Sequence, residues 1–401
     1  MGGRCTKASR SRTPNELRSQ PSPRQSVDNE RAQFERLPKG SQTGVIVMHG
    51  RIRVAVNGYG VIGKRVADAV RAQQDMTLVG VADVTTDWRT RVLQAKEIPL
   101  FAGTSEALKA FSAAGIPTAG GLDEMLGEVD VVVDCTPKKI AALNVPIYRA
   151  LGQKFILQGG EKHEITGHSF VAEANFDTAV GRDATRVVSC NTTATVRTLS
   201  ALKRAGLLQS ARGTLLRRAT DPWESHEGGI MNTLLPEREI PSHQGPDAQS
   251  VDSDLDVVTM AVKVPETIGH VHYWAVRMTR PAEKEEVLEA FRTSSRILLM
   301  KDEFGLGAIN SVKELMTDRG RPRGDFYEVG LWADMLKVQG DELFYAYMVD
   351  NQAIVIPETI DALRAITRCE TSGERSIEAT NNALGIGGGL FAKPGTGDLT
   401  L

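Results

Sequence analysis

Ile52-Arg53-Val54-Ala55-Val56-Asn57-Gly58-Tyr59-Gly60-Val61-Ile62-Gly63-Lys64-Arg65-Val66-Ala67-Asp68-Ala69-Val70 decides the fold of the first half of the chain. Its first five residues read as a short strand, and from Val61 onward the apolar spacing becomes helical. Between them Gly58, Gly60 and Gly63 stand in G-x-G-x-x-G order. The first glycine makes the tight turn, and the second leaves room for a pyrophosphate to approach the backbone. The third lets the helix pack on the sheet with its N-terminus toward the phosphates. The pattern gains meaning from the strand before it and the helix after it. It implies a dinucleotide cofactor.

Downstream, strands and helices alternate. Leu78-Val79-Gly80-Val81-Ala82 is the next strand and ends at Asp83. An acidic residue there can hydrogen-bond the adenosine ribose of NAD and repel the 2′-phosphate of NADP, or it can be a simple turn aspartate. Arg89 and Arg91 follow closely enough to keep NADP in play. Val129-Asp130-Val131-Val132-Val133-Asp134 reads as a buried parallel strand running into Cys135-Thr136-Pro137, and Lys154-Phe155-Ile156-Leu157 reads as another, before Gln158-Gly159-Gly160-Glu161. The expected architecture is a Rossmann-type doubly wound α/β sheet.

Arg186-Val187-Val188-Ser189-Cys190-Asn191-Thr192-Thr193 then reads as a strand, a polar corner and a helix start. Cys190 falls just before the helix, where Asn191, Thr192 and Thr193 can cap free N–H groups and the helix dipole favours a thiolate. The other reading is a small packing cysteine. Cys135 is the rival thiol and reads as packing, because Pro137 removes a backbone donor close behind it. Beyond this corner come strands at 213–219, 255–264, 269–278, 328–332 and 343–349, with helices near 283–293 and 357–367. This pattern suggests an α+β catalytic domain with a mostly antiparallel sheet.

The expected division is a disordered extension over 1–48, a dinucleotide-binding domain over 49–189, a catalytic domain over 190–356, and a flexible tail over 387–401. A C-terminal helix over about 357–386 returns to the first domain. The extension is basic and lacks apolar periodicity, so it cannot bury enough surface to fold.

Composition narrows the function. The 401 residues are 41% hydrophobic and 24% charged, with a formal net charge of −2, which gives no case for nucleic acid or an anionic membrane as partner. No apolar run approaches a membrane span. Cysteines 5, 135, 190 and 369 have neither disulfide density nor zinc-ligand spacing, so a reducing cytoplasm is expected and no metal is.

A thiolate beside a dinucleotide can attack an aldehyde, and the resulting thiohemiacetal can release hydride and become a thioester. That chemistry asks for a nearby base and for cationic groups if the substrate carries phosphate. His226, His243, His270 and His272 are available. His270 and His272 share one strand face, and His243 lies in a Gly- and Pro-containing loop. Arg217 and Arg218 end a strand as phosphate or cofactor contacts. The residues alone do not choose among the histidines.

The runs 54–69, Gln158-Gly159-Gly160-Glu161-Lys162, Val187-Val188-Ser189-Cys190-Asn191-Thr192-Thr193, Arg217-Arg218-Ala219, Pro241-Ser242-His243 and Met260-Ala261-Val262 resemble, in order, the archaeal-type (type II) phosphorylating glyceraldehyde-3-phosphate dehydrogenases. The resemblance runs from about Arg51 to Ile386. It implies Cys190 as nucleophile and His270 as the histidine that activates the thiol and accepts the proton. It implies Ser189, Cys190, Asn191, His243 and Gln244 at the substrate, and Gly58, Gly60, Val61, Ile62, Gly63, Gly160, Arg218 and Asn351 at the cofactor. It also implies triose phosphate and inorganic phosphate as small-molecule partners, and a homotetramer.

Three positions depart from the family pattern. Gln244 stands where a second histidine is usual. Asp83 replaces a lysine, which argues for NAD over NADP. Asp350-Asn351 replaces His-Gln. Two other functions fit the same elements: a semialdehyde or acyl-phosphate dehydrogenase, and an inactive dinucleotide-binding sensor.

Overall fold

A computed structural model describes residues 50–158, 160–221, 233–387 and 391. The expected extension over 1–48, His226, Gly159 and all but two residues of the expected tail lie outside the described residues.

The first sheet is parallel throughout. Its strands are β1 (Ile52–Asn57), β2 (Met76–Asp83), β3 (Leu100–Ala102), β4 (Gly120–Gly121), β5 (Val131–Asp134), β6 (Lys154–Gln158), β7 (Ser169–Phe170) and β8 (Ala184–Val187), in the order β4-β3-β2-β1-β5-β6-β8-β7. β1 pairs with β2 on one side and β5 on the other, so the strand order reverses at β1. Ligands of open α/β sheets bind beyond the strand ends at such a switch point. Asn57 stands opposite Ala82 and Asp134, which brings the glycine loop beside Cys135 and Thr136.

The glycines are sterically required there. Gly58 has φ +94°, and a side chain on it would meet the Cys135 carbonyl carbon at 2.9 Å; one on Gly63 would meet the Gly58 oxygen at 1.8 Å. Polar groups buried under the switch point fix the strand ends together. Asn57 Nδ2 donates to Tyr148 Oη at 2.8 Å, and that hydroxyl donates to Asp134 Oδ2 at 2.7 Å.

The second sheet comprises β9 (Leu208–Arg218), β10 (Leu235–Pro236), β11 (Val257–Val264), β12 (Gly269–Met278), β13 (Ile297–Met300), β14 (Val329–Trp332), β15 (Lys337–Gln339) and β16 (Glu342–Asp350), in the order β10-β11-β9-β12-β16-β14-β13 with β15 on β16. It is mostly antiparallel, as expected. The β9–β11 and β13–β14 pairs are parallel, because helices Gln244–Gln249 and Ile309–Asp318 intervene and carry the chain back. The first is short, with Gly245 and Pro246 and little apolar period; the second, outside the expected elements, repeats Ile309, Val312 and Met316 at helical spacing.

Helix Cys190–Arg204 links the two sheets and is buried almost to its end. Its Arg197 is fully buried and meets Glu358 of helix Val355–Thr367, with Arg197 Nη2 to Glu358 Oε1 at 2.5 Å. This helix begins two residues earlier than the expected start at Pro357, which is tolerated in the first turn where no N–H is needed. No helix among the described residues is long and apolar enough to cross a membrane.

Candidate active site

Strand β8 ends at Val187, and Ser189 turns the chain into the helix. Ser189 is the N-cap, its hydroxyl accepting from the Thr192 N–H at 3.3 Å. The expected caps Asn191, Thr192 and Thr193 are inside the first turn instead, and Cys190 is the first helical residue. Thr192 Oγ1 donates to Asp247 Oδ2 at 2.7 Å, and Asp247 also pairs with Arg186. This pair ties the corner to helix Gln244–Gln249.

Antiparallel pairing of β12 with β9 brings His270 to the corner. His270 Nε2 lies 3.2 Å from Cys190 Sγ, and the backbone N–H of Arg218 donates to His270 Nδ1 at 3.0 Å. A backbone N–H can only donate, so Nδ1 is the bare nitrogen. The neutral ring therefore carries its proton on Nε2 and presents a donor to the sulfur. In this arrangement the lone pair of the neutral ring points away from the thiol. Burial, with His272 and the two arginines adding to it, holds His270 well below the usual histidine range, which keeps it neutral.

The thiol is also not what the helix dipole suggested. Burial pushes Cys190 up, and the charges of Arg218 and Arg217 and a backbone bond at Asn191 offset only part of that. Enclosure of the corner thus opposes the thiolate that the helix start favours. Cys135 is pushed well above the usual range by burial and by Asp134, and it packs beneath Gly63.

Cys190 opens onto two cavities. One, of about 840 Å³, has Lys138, Lys162, Arg186, Arg217, His243 and Lys263 among its lining groups, together with Ser189, Asn191, Gly160 and His270. Several cations around one space suit a phosphorylated substrate. Sequence reasoning missed Lys138, Lys263 and Arg186. The signal for Arg186 was present, a charged residue inside an apolar strand, whereas the lysines are brought in by pairing and loop geometry alone.

Gln244 does not reach this space. It is buried behind the wall, and its amide oxygen accepts from His243 Nε2 at 3.1 Å and from Arg217 Nη1 at 3.2 Å while its NH2 donates to Ser242 Oγ at 2.8 Å. The expected substrate contact is thus indirect: Gln244 holds Arg217 and His243, which line the cavity. Glu237 holds Arg217 from the other side and lies 3.4 Å from His243 Nδ1.

The second cavity, of about 250 Å³, lies between Val61, Ile62, Cys135, Gly160, Arg218 and Asn351. Helix Val61–Ala72 starts at Gly60 with no side-chain cap, and a side chain on Gly60 would meet nothing within 4 Å. Free N–H groups over open space are a phosphate cradle. Gln158 Oε1, Asn351 Oδ1 and Arg218 Nε are buried without a hydrogen-bond partner among the described residues, and all three side chains line this cavity. Two orphan acceptors and one donor fit the carboxamide of a nicotinamide. Asp221 fixes two of them, accepting from Asn351 Nδ2 at 3.1 Å and pairing with Arg218 at 3.3 Å.

Asp83 is drawn into its own loop. Oδ2 accepts from the Tyr59 N–H at 2.7 Å, while Oδ1 accepts from the N–H groups of Val84 and Thr85 at 2.7 and 2.9 Å and from Thr85 Oγ1 at 2.8 Å. It shapes the turn that the glycine loop rests on. Among the described residues no group of three or more His, Cys, Asp or Glu side chains is placed to hold a metal ion.

A parallel sheet with a glycine loop at its switch point, opening beside a thiol–imidazole pair, defines an NAD(P)-dependent oxidoreductase acting on an aldehyde group. Residues 189–316 match the family model of the glyceraldehyde 3-phosphate dehydrogenase C-terminal domain, and residues 52–159 match that of the dihydrodipicolinate reductase N-terminus. The chain belongs to the glyceraldehyde-3-phosphate dehydrogenases. It is 43% identical over 335 residues to the glyceraldehyde-3-phosphate dehydrogenase of Methanobrevibacter smithii, covering 83% of this chain and 99% of that protein. For that of Metallosphaera sedula the identity is 44% over 341 residues, 85% of this chain and 99% of the relative. For that of Thermococcus kodakarensis it is 40% over 336 residues, 84% and 99%.

Proposed function

We propose that the protein carries out the phosphorylating oxidation of D-glyceraldehyde 3-phosphate with NAD or NADP, yielding 1,3-bisphosphoglycerate and the reduced cofactor. The observation that carries this reading is Cys190 Sγ, 3.2 Å from His270 Nε2, standing where a cationic cavity meets the glycine-loop cavity. The Cys190 thiolate adds to the aldehyde to give a thiohemiacetal anion, which becomes a thioester on loss of hydride; inorganic phosphate then attacks the thioester carbon, forming the acyl phosphate and releasing the thiolate. His270 holds the sulfur and the adjoining oxygen by its N–H. Ser189, Asn191 and His243 border the substrate, and Lys138, Arg217 and Lys263 supply charge for its phosphate and for the incoming one.

Gly58, Gly60, Val61, Ile62 and Gly63 would hold the pyrophosphate, and Gly160, Arg218, Gln158 and Asn351 the nicotinamide end. When bound, the nicotinamide supplies the hydride acceptor. The domain division at 49–189 and 190–356, with the helix 357–386 returning to the first part, belongs to the same reading. So do a homotetramer and a cytoplasmic setting.

The test is to follow reduced-cofactor formation from glyceraldehyde 3-phosphate with and without phosphate or arsenate, in the wild type and in Cys190→Ser and Cys135→Ser. Phosphate-dependent turnover, abolished only by Cys190→Ser, is expected. Phosphate-independent turnover would overturn the phosphorylating mechanism. Activity confined to another aldehyde would point to a semialdehyde dehydrogenase.

A further inference from the structure

Addition of a thiolate to an aldehyde places a negative charge on oxygen, and that oxygen needs N–H donors aimed beforehand. His270 Nε2 is one. A second polar end faces the sulfur: Asn191 Nδ2 lies 3.8 Å from Cys190 Sγ. An asparagine can present either its NH2 or its oxygen, and the partner at its other end decides which.

Here that partner is buried and chained to another. Asn191 Oδ1 lies 2.8 Å from His272 Nε2, and His272 Nδ1 lies 2.9 Å from Tyr347 Oη. All three residues are buried. Thr195, Thr198 and Trp274 also stand beside the Tyr347 oxygen, but with the Asn191 amide oxygen at its Nε2 the neutral His272 ring carries its proton there and takes that of Tyr347 at Nδ1. An Nε2–H can be met only by the amide oxygen. The Asn191 NH2 is therefore left facing Cys190. The reversed chain would turn an amide oxygen toward a sulfur that must become negative.

We propose that Tyr347 and His272 are positioning residues, which turn the Asn191 amide so that its N–H, opposite that of His270, receives the oxyanion formed at Cys190. This rests on the reading of Cys190 as nucleophile. The thiol proton leaves to solvent first. In the addition a sulfur lone pair forms the C–S bond and the carbonyl π pair moves to oxygen; Asn191 and His270 donate hydrogen bonds, and neither gives up a proton.

The test is Tyr347→Phe, which removes the far hydroxyl without touching the substrate. We expect kcat to fall roughly 10- to 100-fold, less than or equal to the loss on removing a direct donor, with KM for the aldehyde nearly unchanged. The pH at which Cys190 is half-alkylated by iodoacetamide should rise, because the thiolate loses a donor. Asn191→Ala should lose at least as much kcat, and adding Tyr347→Phe to it should change nothing further. His272→Phe provides a second route should Tyr347→Phe not fold. Additive losses in the double variant, or an unmoved alkylation profile, overturn the proposal. Retained turnover in Cys190→Ser would instead overturn the reading beneath it, whatever Tyr347→Phe does.

Discussion

His270 approaches Cys190 through the nitrogen that carries its proton, Nε2 at 3.2 Å from Sγ, because the Arg218 backbone N–H occupies the other nitrogen. A fixed donor is replaceable by another donor, whereas a base is not. His270→Gln, whose amide can reach toward the sulfur, should keep turnover within about 10-fold, while His270→Ala should lose roughly 10²- to 10³-fold, the cost of one missing oxyanion donor. Single-turnover rates of the two variants at saturating cofactor decide it. Equal inactivity would restore the histidine to the role of base.

By position Asp83 is either a ribose contact that favours NAD or a turn aspartate. Its carboxylate receives four donors from Tyr59, Val84 and Thr85, so the charge it carries is already engaged in shaping the loop. Replacing it by lysine leaves those donors without an acceptor, at about 1.5–3 kcal/mol for each hydrogen bond to a charged group. Asp83→Lys should lower the melting temperature and weaken NAD and NADP together. Dissociation constants for both cofactors, measured alongside a thermal melt, are the check. An unaltered melt with tighter NADP would return Asp83 to the role of selector.

The parts of this protein legible in its sequence are those fixed by near neighbours. Gly58 and Gly63 are dictated by contacts within one loop and the adjoining strand, so their spacing announced the fold. The period of two on β12 put His270 and His272 on one face, and their rings do stack, 6.4 Å apart. Which nitrogen of His270 faces the sulfur depends on an N–H of β9, 52 residues away, and no local pattern carries that. Gln244 likewise looks like a substrate contact by position, and only the packing of Ser242, His243 and Arg217 around it shows that it works from behind. The thiol shows the same division: a helix dipole is local, whereas the enclosure that pushes Cys190 up is not.

The helix that bears Cys190 is anchored by a buried cluster of two arginines and two carboxylates. Glu358 Oε1 accepts from Arg197 Nε at 3.0 Å and Arg296 Nη1 at 3.1 Å, Oε2 accepts from the Ala172 N–H at 2.5 Å, and Arg296 Nη2 reaches Asp361 Oδ2 at 2.6 Å. Burial alone would push Glu358 up, but the two guanidiniums outweigh it and hold the carboxyl below its ordinary range. Glu358→Gln leaves the buried Arg197 without its paired carboxylate, while Arg296 keeps Asp361, and should destabilise the protein by about 3–5 kcal/mol. Guanidinium unfolding midpoints of the two proteins would measure this. A loss below about 1 kcal/mol would mean that the cluster is relaxed by water.

Acid should weaken the fold earlier than its carboxylates alone would predict, because three histidines are buried in the neutral form. Burial lowers His272 to about 3 and His168 to about 4, and takes His270 well below its usual value. His168 has both ring nitrogens bonded to hydroxyls, Thr185 Oγ1 at 2.7 Å and Thr178 Oγ1 at 2.8 Å, and burial, with the charge of Arg182 adding to it, keeps the ring neutral. In the unfolded chain these groups titrate near 6.5, so between that value and the folded ones the unfolded state binds more protons and stability rises with pH. The stabilisation is complete above about pH 6.5 and falls below it by up to about 1.4 kcal/mol per pH unit for each histidine. Unfolding midpoints at pH 7.5, 6.5, 5.5 and 4.5 should drop steadily from 6.5 downward, and His168→Gln should make the slope shallower. A midpoint that holds level down to pH 5 would mean that the histidines gain their protons without cost, through opening of the site rather than of the fold.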